Sequence, residues 1–175
     1  YVKLAGSDKV YESQTEIGNS FTRRLTDFRD KRVLKFELKD VKSVKVEGLQ
    51  NFELSQAKDE WIVEAPTRGR ADKAAAEKVV RPLSTLSAQD CKEDKPSSLK
   101  PYGLDRPRLK VASKTSREVP PKAKPGDPNT QPADTQPSIE DKTHVLLVGG
   151  ATDLSGTAYF AKLESAPWVF SLQDA

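Results

Sequence analysis

Within thirty residues the chain reads Leu34-Lys35-Phe36-Glu37-Leu38, Val44-Lys45-Val46-Glu47, Phe52-Glu53-Leu54 and Trp61-Ile62-Val63. Apolar residues alternate with charged ones in each group. A period of two puts the apolar side chains on one face of a strand and the charged ones on the other. The groups are separated by short turns, such as the one at Lys58-Asp59. Turns of this length join antiparallel neighbours, since parallel pairing needs a long crossover. The stretch therefore predicts a meandering antiparallel sheet with one wet face.

Helical signals flank this sheet. Ser13-Gln14-Thr15-Glu16 has the spacing of a capping box, and Ile17, Phe21 and Leu25 then fall four apart on one face. Asp72 is placed to cap a second helix carrying Ala76, Val79, Val80, Leu83 and Leu86 on one stripe. Pro82 lacks a backbone donor and marks its last turn or a kink. Residues 89–107 read as mostly loop. Arg108 to Thr115 reads as a strand, as does Thr143 to Val148, whose nearly unbroken apolar run suits a central position. Ala158 to Leu163 and Trp168 to Phe170 form a closing hairpin. The expected fold class is α+β, an antiparallel sheet built from β-meanders with two main helices packed on it.

The closing hairpin echoes the start of the chain. Tyr1-Val2-Lys3-Leu4, five residues and Val10-Tyr11 correspond to Phe160-Ala161-Lys162-Leu163, five residues and Val169-Phe170, at an offset of 159. A repeat of this kind points to tandem copies. Residues 1–12 then read as the closing hairpin of a preceding copy, and 13–175 as one repeat unit. Two unrelated hairpins that happen to match are the alternative. Inside the unit, six of the twelve prolines lie between Pro120 and Pro137. Residues 118–140 are expected to form an extended, Pro-rich insert, because they lack the apolar surface to offset ordering entropy. The insert reads as a spacer, with a polyproline ligand as the other option.

Chemistry is hard to find. The only cysteine, Cys91, sits among acids in Asp90-Cys91-Lys92-Glu93-Asp94, which disfavour a thiolate. One Cys and one His cannot build a zinc site. His144 lies inside a predicted strand, and no nucleophile elbow accompanies it. Gly149-Gly150-Ala151-Thr152-Asp153-Leu154-Ser155-Gly156 is glycine-rich, but Thr157 onward reads as strand, so a hairpin loop fits better than a phosphate cradle. No cofactor, metal or catalytic residue is expected. No run of 18 apolar residues is present to span a membrane as a helix. The chain starts at Tyr1 and contains no Met, so it reads as a fragment, with any signal or anchor outside it.

Charge is uneven. Overall the chain carries 29 Lys and Arg against 26 Asp and Glu, a net +3, yet residues 23–45 hold nine basic residues against four acidic. The densest knot is Asp27, Arg29, Asp30 and Arg32, an expected ion-paired connector and the first choice for a contact surface. Arg23, Arg24, Arg29, Lys31, Arg32 and Lys35 form an alternative face for an anionic polymer such as a glycan or nucleic acid. A solvated face is the plainer reading. A third reading is a hydrolase using His144 with Asp90, Glu93 and Asp94.

The residues Leu25-Thr26-Asp27-Phe28-Arg29-Asp30-Lys31-Arg32-Val33-Leu34 resemble the entry of a bacterial domain-of-unknown-function family, numbered 4340. Trp61-Ile62-Val63-Glu64-Ala65-Pro66 is similar to its strand end. Ala71-Asp72-Lys73 opens the helix in the same order, and Tyr102-Gly103-Leu104-Asp105-Arg106-Pro107 is similar to its signature before a strand. Val145-Leu146-Leu147-Val148-Gly149 and the Tyr159 to Phe170 hairpin complete the series. The Pro-rich insert departs from the usual short hairpin. The resemblance implies an extracytoplasmic module, often in tandem, commonly behind a membrane anchor. Such modules are often encoded beside ABC-type transporter permeases and gliding-motility-type auxiliary subunits. It carries over no catalytic residue. On this reading the chain is a non-enzymatic interaction module whose partners are permease or auxiliary subunits and neighbouring copies of the repeat.

Overall fold

A computed structural model describes residues 1–3, 5–12, 22, 28–58, 60–119 and 138–173. The chain divides into two compact units, Tyr1–Asp30 and Lys31–Ala175. In the first, β1 (Val2–Lys3) and β2 (Val10–Tyr11) form an antiparallel hairpin. The helix expected from Ser13 lies outside the described residues.

The second unit is one nine-stranded sheet. Its strands are β3 (Val41–Glu47), β4 (Phe52–Ala57), β5 (Glu60–Ala65), β6 (Gly69–Arg70), β7 (Asp90–Glu93), β8 (Leu109–Val119), β9 (Ser138–Ala151), β10 (Ala158–Leu163) and β11 (Val169–Gln173). They are ordered β6-β5-β4-β3-β8-β9-β10-β11-β7. Two meanders, β3 to β6 and β8 to β11, thus run outward from a central antiparallel seam between β3 and β8. Helix α1 (Lys73–Ser84) lies between β6 and β7 in the chain, which then returns to the centre at β8.

The predicted alternation explains the core. Across one face, the register aligns Phe52, Val46, Val111, Leu146 and Leu163 in a row from β4 to β10. A neighbouring row runs Leu109, Val148, Ala161, Phe170 and Cys91. The intervening Lys45, Glu53 and Ala112 share the opposite face. Helix α1 adds buried Ala76, Val80 and Leu83 to the same core. Asp72 caps it as its sequence predicts, its carboxylate accepting from the Ala75 amide at 2.7 Å. Pro82 falls in the last turn.

Three expectations need correction. The fold is mainly β, with 48% of the described residues in strands or bridges and 14% helical, and α1 is the one α-helix among them. The described residues therefore do not support an α+β fold with two main helices; strand periodicity dominates them. Next, residues 34–38 do not join the sheet. Their alternation is real, with Leu34 buried and Lys35 exposed. The amides here, however, bond to carbonyls at the last residue of α1 and just beyond it. Val33 and Leu34 both donate to Leu86 O at 2.8 and 3.1 Å, and Phe36 donates to Ser84 O at 3.1 Å. A strap against a helix exit meets the same burial pattern as a strand. Finally, the flanks of the insert expected over 118–140 are strand, since the β8–β9 ladder runs to Val119↔Ser138; the mostly loop stretch 89–107 includes the short strand β7.

Candidate contact surfaces

The structure describes only part of the charged knot. Asp27 lies outside the described residues, as do Arg23 and Arg24. Arg29 and Asp30 are exposed in the first unit, and each has an interaction of its own. Arg32 belongs to the second unit, where it forms an isolated bridge with Ser87. Its neighbour Lys31 is held at both ends. The Lys31 carbonyl accepts from the Ala88 amide at 2.7 Å, and its Nζ donates to Gln89 O at 3.0 Å. Residues 31–36 thus lace the strap to 84–89, a structural task. Lys35 is exposed. Farther along the basic segment, Lys39 pairs with Glu37 at 2.8 Å and Lys45 with Glu47 at 2.7 Å. Those bonds lower the carboxyl pKa values of Glu37 and Glu47 and raise the ammonium values of Lys39 and Lys45. Two of the nine basic charges are thereby matched by local acids.

The acids of the third reading are likewise engaged. The Tyr102 hydroxyl donates to the Glu93 carboxylate, which raises the phenol's pKa. Lys92 pairs with Asp90 at 3.2 Å, and the Cys91 thiol lies 3.6 Å from Asp94 Oδ1. His144 sits on β9, stacked on Phe36 with ring centroids 5.8 Å apart, and opposite Ser113 on β8. Burial, and secondarily the Lys142 charge, lowers its pKa. Among the described residues no cluster of His, Cys, Asp or Glu is grouped to hold a metal ion. No helix among them is long and apolar enough to cross a membrane.

One end of the sheet presents a surface that the sequence reading missed. The β3–β4 turn carries Leu49, 88% exposed, and the β9–β10 turn carries Leu154, 110% exposed. The register puts both turns at the same end, because Glu47 pairs with Lys110 and Leu109 with Val148. The turns are three strand spacings apart, roughly 14 Å along the sheet edge. Each is locally pinned. The Gly48 amide donates to Asn51 Oδ1 at 3.0 Å. The Asp153 carboxylate accepts from Ser155 Oγ at 2.7 Å and the Gly156 amide at 2.9 Å. These bonds lower the Asp153 pKa, that of Ser155 foremost. The hairpin loop expected over Gly149 to Gly156 is shorter in the structure: Gly149, Gly150 and Ala151 belong to β9, and the turn begins at Thr152. An open cleft of about 440 Å³, lined by Glu47, Asn51, Phe52 and Pro66, adjoins the Leu49 turn. The available signal was compositional: a large apolar residue among Gly, Asn, Asp and Ser is out of place in a turn.

No curated protein and no solved structure matches the chain. A family profile described as a domain of unknown function, DUF4340, matches it twice, over residues 1–107 and 65–175. The two matches overlap and together span the sequence, as a tandem arrangement of the domain would. The chain belongs to the DUF4340 family.

Proposed function

We propose that this chain is a non-enzymatic interaction module that acts on the outer side of a membrane as an accessory to an ABC-type transporter assembly. The observation that carries the interaction role is the pair of bare leucines, Leu49 and Leu154, at one end of the sheet. Single exposed apolar residues are ordinary. Two held at hairpin tips roughly 14 Å apart at one end of the sheet give two apolar anchor points whose spacing is already set, which lowers the ordering cost of binding. The transporter and the compartment come from the family resemblance alone.

Crosslinking the full-length protein in its native membranes, followed by identification of what co-purifies, tests this reading. Permease or ATPase subunits should be recovered with the parent and lost with Leu49→Asp combined with Leu154→Asp. Recovery of glycan, nucleic acid or nothing from the parent would remove the transporter reading. Recovery unchanged by the double substitution would move the contact elsewhere on the surface.

A further inference from the structure

We propose that the β1–β2 hairpin is a docking element for a second copy of this fold, where it takes the place that β10–β11 takes here. This inference does not depend on the transporter reading. It rests on a coincidence of register together with a contrast in burial.

The eleven residues Tyr1 to Tyr11 match Phe160 to Phe170 in the order of aromatic, small or branched, Lys, Leu, a five-residue gap, Val and aromatic. The structure gives both the same pairing. Val2 faces Tyr11 in the first hairpin, and Ala161 faces Phe170 in the second, each pair displaced by 159. The surroundings are opposite. Val169 and Phe170 are 0% exposed, whereas their counterparts Val10 and Tyr11 are 61% and 50% exposed. In the C-terminal hairpin both outer edges are paired, β10 to β9 and β11 to β7. Among the described residues β1 and β2 pair only with each other.

An isolated two-stranded hairpin is marginal in water, and open edges with apolar side chains invite further pairing. The partner that fits is a sheet offering the same slot, between a β9 strand and a β7 strand. A second copy of this fold supplies that slot where its own hairpin is displaced or lacking. The register then sets Val2 beside Val148 and Tyr11 beside Cys91 of the receiving copy, as Ala161 and Phe170 are set here. Lys3 takes the position of Lys162, opposite Leu147.

The first test replaces Phe160 to Phe170 by the sequence of Tyr1 to Tyr11, equal in length. The graft should melt cooperatively within a few degrees of the parent. The same graft carrying Val10→Asp should not. A graft that melts no higher than this control overturns the proposal, provided that a version carrying Val2→Ala, which relieves crowding at the fully buried Ala161 site, fails as well. The second test opens the slot in the whole chain with Val169→Asp and Phe170→Asp and adds Tyr11→Cys. Oxidation should then give disulfide-linked dimers that Cys91→Ser abolishes, since cross-strand neighbours lie within disulfide reach. A folded but uncrosslinked chain overturns docking. If this variant does not fold, the graft decides alone.

Discussion

Gly149 lies directly beneath the Tyr102–Gly103 peptide. A Cβ built on Gly149 would collide with the Tyr102 carbonyl oxygen and stand 3.0 Å from the Gly103 carbonyl carbon. The turn above is fixed by Gly103, whose φ of +64° is the left-handed conformation that glycine adopts without a steric penalty. Tyr102 then packs edge-on against Phe160, with centroids 5.1 Å apart. The Tyr-Gly-Leu stretch and the Gly-Gly end of β9 are thus two halves of one contact. Gly149→Ala should destabilise by about 3 kcal/mol, the upper end of overpacking, because the atoms it meets are backbone and cannot rotate away. Urea denaturation should show a lower midpoint with an unchanged slope.

Trp61 is 2% exposed on β5, in the core that α1 covers. Its carbonyl also accepts from the Ala71 amide at 2.8 Å, just before the helix cap. The side chain therefore fills the space between sheet and helix, while the backbone sets where the helix starts. Trp61→Ala should cost about 3–5 kcal/mol, the range for a large aromatic truncated in a core. Val79→Ala, on the exposed edge of the α1 stripe, should cost far less. Equal midpoint shifts for the two would contradict this placement.

How far the sequence could be read depended on how local the deciding contact is. Val44, Val46, Leu54 and Trp61 carry a period-two signal that burial enforces directly, and all four are core. Asp72 capped its helix because the cap bond spans three residues. Leu34 to Leu38 shows the same alternation, yet its partners are the carbonyls of Ser84 and Leu86, some fifty residues away. Alternation reports one buried face and is silent on what the backbone bonds to. Strand β7 escaped notice because an edge strand of Asp, Cys, Lys and Glu has no apolar period; it exists through its ladder with β11. The knot at 27–32 drew attention by charge density, but charge density does not say which side chains meet. Leu49 and Leu154 were visible as letters and gained meaning only when the register put their turns at one end.

The β8–β9 ladder continues in unbroken register from Leu109↔Val148 to Val119↔Ser138. Its outer rungs, Arg117↔Glu140 and Glu118↔Ile139, are thus in place before the Pro-rich segment begins. Replacing residues 120–137 by Asn-Gly supplies the two-residue turn that antiparallel neighbours prefer. Shortening a loop changes closure entropy only logarithmically, about 0.6 kcal/mol per halving. The melting temperature should therefore stay level or rise slightly. A fall of several degrees would show that 120–137 packs on the body of the protein.

His144 is the single histidine, which makes its titration separable. Its ring stacks on Phe36, and burial followed by the Lys142 charge lowers its pKa below the ordinary 6.5. The folded state therefore prefers the neutral ring. As pH falls through about 6.5, the unfolded chain gains a proton that the folded chain resists, so stability present above that value is lost toward the folded pKa. Carboxylates ordinarily titrate below about 5 and leave this window to His144. The melting temperature of the parent should fall between about pH 7 and pH 5.5, and His144→Gln should flatten that part of the curve. An equal fall in the variant would place the pH dependence on another group. A rise toward acid in the parent would contradict the neutral, stacked ring.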